Sequence, residues 1–352
     1  MTRNAKKDET NSNFVYGIIV SAILLVIGLM ASNILVMAED HIGSSFFIRP
    51  ILPDNQERKE STFFDLRIEP GQEQVIDVEI VNNTNERIKI LATIFTATTN
   101  MNGFAEYQLS PEKPDSTLPH LMEDIISLPA YVEIPPHAVH FLPIHIQMPD
   151  ESYDGVWAAA LDLRRAEEEE VEFEGIRNIY SFVTVILLHQ GEALEAEIVS
   201  HGTQIEFLED KGLFSTNLQN TKAAFTSLLE IKTTITCRET NEMVFKEVRG
   251  NMQMAPHSNF DFLVQADSNN FSEGIYILDH VLESGGITWK FQEFIRVSGE
   301  IDLEAHSLTE DEMRALERNS SVWIILVVSL LLAVIIIIFC VYLIPKPFPN
   351  FL

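Results

Sequence analysis

The chain has 352 residues, 46% of them hydrophobic, and a formal net charge of -28. That length and apolar content allow two ordinary domains plus targeting segments. The charge excludes nucleic acid and an anionic membrane surface as main partners, because both need Lys and Arg facing phosphates; solubility is the plainest reason for it.

The N-terminus opens on Arg3, Lys6 and Lys7, followed by an apolar stretch from Phe14 to Met37. Val36-Met37-Ala38 has small or branched residues where signal peptidase reads, so residues 1–38 are expected to be a signal peptide cleaved after Ala38. The stretch is long for that role, and an uncleaved anchor is the alternative.

Residues 45–300 read as β. Ile76, Val78 and Ile80 alternate with Asp77 and Glu79, the mark of a strand with one buried face. Ile88, Ile90, Ala92 and Ile94 continue the pattern beyond a turn at 82–85, and Leu142, Ile144, Ile146 and Met148 share a parity. Three features recur in order. The stretch from Val81 to Asn85 is echoed by Leu218 to Lys222, Pro136-His137 by Pro256-His257, and Asp154-Gly155-Val156-Trp157 by Glu273-Gly274-Ile275-Tyr276. An ordered repeat of that kind implies two related sandwiches. The expected fold is all-β, with two tandem immunoglobulin-like β-sandwich domains, an N-terminal signal helix and a C-terminal transmembrane helix. The first sandwich is expected over 45–165 and the second over 176–300. Between them the carboxylate run from Glu167 to Glu174 reads as a solvated linker, 166–175.

Residues 301–321 read as a juxtamembrane stalk, where Thr309 and Glu312 form a capping-box pattern. Val322 to Ile344 carries no charge, and at ~1.5 Å per residue it crosses the ~30 Å hydrocarbon core. Trp323 and Tyr342 sit at its ends, where aromatic rings favour the interface. The basic N-terminus then keeps its own end inside, exports the β region, and leaves residues 345–352 as a short cytoplasmic tail.

Catalytic patterns do not emerge. There is no G-x-S-x-G, H-E-x-x-H, phosphate loop or C-x-x-C. His137, His140 and His145 are the nearest thing to a metal set, but His140 and His145 have opposite strand parity. The expectation is a non-enzyme without cofactor or metal. Of the cysteines Cys237 and Cys340, the second lies in the last apolar run, so the exported part has no internal disulfide. Cys237 falls on an apolar parity and is expected to be a buried, inert thiol. Phe46, Phe47, Phe63, Phe64, Phe104, Tyr107 and Trp157 gather in the first sandwich, where rings serve either core packing or partner contact.

Several stretches together resemble a known family. They are Phe47 to Gln56, Phe63-Phe64-Asp65-Leu66, Pro70-Gly71, Val81 to Thr84, Ala97 to Gly103, Tyr107, Met148-Pro149 and Asp154-Gly155. In the second half they are Met254 to Ser258, Gly274-Ile275-Tyr276 and Trp289 to Phe294. The sequence is similar to the WxL-interacting proteins of low-GC Gram-positive bacteria. One departure is Gly155-Val156-Trp157-Ala158-Ala159-Ala160, where relatives commonly continue with a glycine pair, which bears on local strand packing. The resemblance implies a peptidoglycan-binding first domain and a host-binding second one that contacts extracellular-matrix proteins. Secreted WxL proteins of the cell wall are the implied partners. The candidate partner-binding side chains are Asn55, Gln56, Asn100, Asn102, Tyr107 and Trp157.

The leading expectation is thus a membrane-anchored surface adhesion scaffold, with the bulk of the chain extracellular at the wall. The alternative is a tethered assembly chaperone acting by strand donation.

Overall fold

A computed structural model describes residues 45–108, 114–166, 181–208, 210–299 and 304–315, together with Val328, Leu331 and Leu332. The expected signal segment, the acidic run and nearly all of the expected transmembrane run lie outside the described residues. Among the described residues no helix is long and apolar enough to cross a membrane.

In chain order the first sandwich contains β1 (Phe46–Ile51), β2 (Phe64–Arg67), β3 (Glu73–Asn82), β4 (Ile88–Thr96), β5 (Thr98–Thr99) and β6 (Ala105–Glu106). A single helical turn, α1 (Met122–Ile125), then leads into β7 (Ile126–Ser127), β8 (Tyr131–Ile134), β9 (Val139–Gln147), β10 (Gly155–Arg165) and β11 (Ser181–Gln190). The second sandwich contains β12 (Ile198–Leu208), β13 (Lys211–Asn220), β14 (Leu229–Cys237), β15 (Met243–Met252), β16 (Ser258–Asp267), β17 (Gly274–Ser284), β18 (Ile287–Ser298) and β19 (Glu304–Ser307).

Each sandwich has two facing sheets. The first pairs the order β1-β3-β9-β7 with β2-β11-β10-β4-β8. The second pairs β12-β13-β16 with β15-β14-β17-β18-β19. Neighbours are antiparallel except β2, which runs parallel to β11. The alternation read in β3 holds, with Ile76, Val78 and Ile80 buried. They join Leu142, Ile144, Ile146, Leu161 and Leu163 in one core, while Phe214, Phe262, Ile231, Leu278 and Leu282 centre the other. Side chains of this kind each contribute about 1.5–3 kcal/mol on burial. Ala159 and Ala160 are fully buried.

The repeat is physical. Asn82 closes β3, and its amide donates to the carbonyls of Glu86, Ile134 and Pro135. Asn220 closes β13 and donates likewise to Ala224 and Ala255. Each asparagine thus ties the following turn to the segment before a Pro-His pair. His137 and His257 in those pairs both have positive φ, 54° and 46°. The equivalence is Asn82 with Asn220, one residue away from the alignment that pairs Asn83 with Asn220.

Two boundaries differ from expectation. Ser181–Gln190 was expected in the second sandwich, yet it forms ten register pairs with β10, from Gly155↔Gln190 to Arg164↔Ser181. The carboxylate run therefore lies between two strands paired with each other, and the chain passes to the second sandwich over residues 191–197. The second difference is at the far end. Glu304–Ser307, expected in a stalk, adds a fifth strand to the sheet through β18. The capping box does form, with Thr309 donating from its backbone N to Glu312 Oε2 at 2.8 Å and residues 310–315 helical.

Candidate functional site at the domain junction

The sequence candidates separate into two places. Asn55 and Gln56 belong to the loop between β1 and β2. Asn55 exchanges reciprocal amide bonds with Gln74, both 2.9 Å. Gln56 is 5% exposed and donates to Ser61 Oγ and the Phe63 carbonyl while accepting from the Asp65 N–H. Both spend these bonds on shaping the loop. The loop also carries an acid–base cluster that sequence reading missed. Asp65, 1% exposed, accepts from His189 Nε2 at 2.6 Å and Arg58 Nε at 2.5 Å. Burial pushes the Asp65 pKa up, but the bonds from Arg58 and His189 outweigh it and hold the carboxyl below its usual range.

Asn100, Asn102, Tyr107 and Trp157 converge on the junction between sandwiches. Asn100 Oδ1 accepts from the backbone N–H of Asn102 and Phe104, which folds the turn at 100–104. That turn reaches the second sandwich through a bridge between Phe104 and Gln253. Tyr107 packs beside Ala97, Val156, Ala158, Leu187 and Ala255, an apolar seam drawn from both sandwiches. Burial pushes its phenol up to about 12. Trp157 is 6% exposed, stacked on His120 at 5.8 Å and edge-on to Tyr153 at 4.6 Å. Its indole Nε1 is buried without a hydrogen-bond partner among the described residues.

Polar groups bridge the seam. Thr99 Oγ1 meets Ser258 Oγ at 2.6 Å and accepts from the Ala255 N–H. The Val156 N–H donates to the Ala223 carbonyl at 2.8 Å. Gly155 is required there: its φ is +104°, and a Cβ would run into that same carbonyl oxygen. At the centre stands Asp115, which takes Gln219 Nε2 at 2.8 Å and Asn259 Nδ2 at 2.6 Å from the second sandwich, and Thr117 from its own. Burial would raise the Asp115 pKa, but these donors outweigh it and lower it. His257 sits alongside, with Nε2 to Tyr153 at 2.5 Å and Nδ1 to Thr117 at 3.0 Å. Desolvation lowers its pKa and favours the neutral ring, against the pull of Asp115.

A cavity of about 220 Å³ opens beside Asp115, walled by Phe95, Thr98, Leu118, Leu121 and Glu123 and closed by His257, Ser258 and Asn259. A much smaller void adjoins it at Trp157, sharing Thr96, Ala97, Leu118 and His257. Asp115, Glu123 and His257 were not sequence candidates. His257 alone left a signal, through the Pro-His echo.

Elsewhere Cys237, expected buried, is half-buried and donates its thiol to Glu239 Oε2 at 3.4 Å. No three His, Cys, Asp or Glu side chains among the described residues are grouped to hold a metal ion. His137 instead contacts Asn85 Oδ1 at 2.8 Å.

Residues 46–165 match the family model described as the WxL Interacting Protein peptidoglycan binding domain. Residues 172–303 match the one described as the WxL Interacting Protein host binding domain. The two span well over half of the chain. The second match begins upstream of β11, a strand that the hydrogen bonding assigns to the first sandwich. No curated protein matches in sequence. Among solved structures, the class 5 fimbriae chaperone CfaA is 13% identical, with 75% of this chain and 99% of that chain covered and a TM-score of 0.28. The E. coli chaperone DraB is 9% identical over 70% and 97% of the two chains, with a TM-score of 0.28. A PapD-like domain of human CEP192 is 12% identical over 45% and 98%, with a TM-score of 0.25. Scores this low carry no inference about function.

Proposed function

The chain belongs to the WxL-interacting protein family, and from that premise we propose that it is a membrane-anchored binding scaffold at the bacterial cell surface. Its first sandwich would hold peptidoglycan. Its second would engage host extracellular-matrix protein, with a secreted WxL-type wall protein as a further partner. The observation that carries the reading is that both sandwiches are matched, in tandem, by models of binding domains. The junction fits it. Asp115, Thr99 and Gly155 tie the two sandwiches, and a held geometry would lower the ordering entropy of a two-site contact.

The anchor belongs to the same proposal. The uncharged run from Val322 to Ile344 would hold the scaffold in the membrane, with the β region outside and the tail inside. The full chain in detergent micelles is expected to be retained on purified cell walls and on the cognate WxL protein. Passage through both unretained would refute it. Protease added to intact cells should remove the β region and leave the C-terminal segment in the membrane fraction; full protection would refute the topology.

A further inference from the structure

The two sheets of the first sandwich have different surroundings. The outer side of the five-stranded sheet meets the second sandwich at Val156, Ala158 and Leu187, beside Ala255. The four-stranded sheet β1-β3-β9-β7 turns its outer side to solvent, yet that side is largely apolar. Phe47 is 48% exposed and Phe141 55%, and Ile51, Val75 and Val139 are exposed with them. The register places these residues on one surface. Phe47, Val81 and Val139 stand in one row across β1, β3 and β9, and Arg49, Glu79 and Phe141 stand in the next. They have the parity opposite to the buried Val78, Ile80 and Leu142. Single exposed apolar residues are ordinary, but a contiguous set on one face marks a contact surface.

Three properties of the face select its occupant. The first is spacing. Two strand separations of ~4.8 Å and two residues of ~3.4 Å set Phe47 and Phe141 about 12 Å apart across the sheet. That is close to the span of two linked sugar rings, whose C–H faces stack on aromatic rings. The second is the polar row beside the rings. Arg49 donates from Nε to Glu79 Oε2 at 3.0 Å and from Nη2 to the same oxygen. Two of its five N–H donors are used there, and its side chain is 72% exposed, so others are open to a ligand's acetamide carbonyl. The third is charge. The chain carries -28, and Glu73, Asp77 and Glu79 share this face with Arg49. A second copy would set acid against acid, as would a phosphate-bearing wall polymer, whereas an uncharged polymer meets no such repulsion.

We infer that the outer face of β1, β3 and β9 binds the glycan strand of peptidoglycan, with N-acetylated sugar rings stacked on Phe47 and Phe141 and Arg49 donating to an acetamide carbonyl. The inference rests on the peptidoglycan-binding reading, and all three strands lie inside the region matched to that domain. It assigns the recognition to the glycan and to the sheet opposite the one that meets the second sandwich.

The test uses the full chain in micelles of a detergent without a sugar head group. It is titrated with N-acetylglucosamine tetramer and passed over glycan strands freed of their stem peptides. Both are expected to bind, and equally well at low and high salt, because the ligand is uncharged. Phe141→Ala should weaken the tetramer about tenfold, and adding Phe47→Ala should bring retention on the strands to background. Phe141→Trp, which keeps a stacking face, should bind at least as well as the wild-type chain. Val183→Ala, which trims a residue 50% exposed on the opposite sheet, should change nothing. No binding of tetramer or strands, indifference to both phenylalanine substitutions, or binding that falls steeply with salt would overturn the inference. So would substitutions that leave the glycan bound and abolish capture of the WxL protein or a concentration-dependent dimer instead. Whole cell walls separate the inference from the broader reading. Walls that retain the wild-type and doubly substituted chains equally leave the scaffold standing and remove this face's role. Walls that retain neither, beside a tetramer bound through Phe47 and Phe141, do the reverse.

Discussion

Acid should weaken the second sandwich well above the pH at which carboxylates titrate, and His280 is the reason. Its ring is 1% exposed, on β17, facing the three-stranded sheet. Nδ1 contacts Thr233 Oγ1 and Nε2 contacts Thr216 Oγ1, both at 2.9 Å. The chain of bonds continues to Thr203 at 2.8 Å and ends on Glu293 Oε1 at 2.9 Å. Glu293 only accepts, so Thr203 donates to it, Thr216 donates to Thr203, and Nε2–H donates to Thr216. Nδ1 is left to accept from Thr233, which makes the neutral Nε2–H form the one the core is built around. A second proton would add a donor facing a donor and a charge inside an apolar core. Desolvation accordingly lowers the His280 pKa to about 4. The unfolded ring titrates near ~6.5. Between these values the unfolded chain holds more protons than the folded one, so stability is full above pH ~6.5 and falls as the pH drops toward ~4. A shift of about two and a half units is worth about 3 kcal/mol. Urea unfolding of the full chain in micelles across this window, compared with His280→Gln, reads the effect. The substituted protein should start less stable at neutral pH and lose much less on acidification. Parallel slopes for the two proteins would refute the account.

Other outcomes follow from single contacts. Asn220→Ala frees the buried carbonyls of Ala224 and Ala255 and should lower stability by about 2–4 kcal/mol in the same unfolding measurement. Gly155→Ala must move the Ala223 carbonyl and place alanine at φ +104°, costing about 2 kcal/mol or more. It should also loosen the sandwiches relative to each other, seen as a larger radius of gyration in small-angle scattering. Asp115→Asn removes the charge that orders Gln219 and Asn259, so protease cleavage over residues 191–197 should speed up while both cores stay folded.

The strands were legible because their burial is one-sided. Ile76, Val78 and Ile80 against Asp77 and Glu79 leave one register open to β3. β10 is different. Nine of its eleven residues, from Gly155 to Leu163, are buried on both faces, one toward the core and the other toward the second sandwich. No alternation survives there, and the junction it helps to form cannot be read from periodicity. The misplacement of β11 has a related cause. Six glutamates and two apolar residues between two strands look alike whether they separate domains or two paired strands of one domain. Only the register from Gly155↔Gln190 onward decides between them.

The polar residues of the junction were harder still, and the reason is chemical. Asn55, Gln56 and Asn100 were conspicuous by residue type and neighbourhood, but an amide is as good at closing a loop as at greeting a ligand. All three spend their hydrogen bonds on nearby backbone or side chains. Asp115 was invisible for the opposite reason. In a chain of net charge -28 one more carboxylate carries no signal until its partners are known. Those partners are Gln219 and Asn259, more than a hundred positions away. What marks Asp115 is that it takes two amide donors from the other sandwich, a property of the packing of the two.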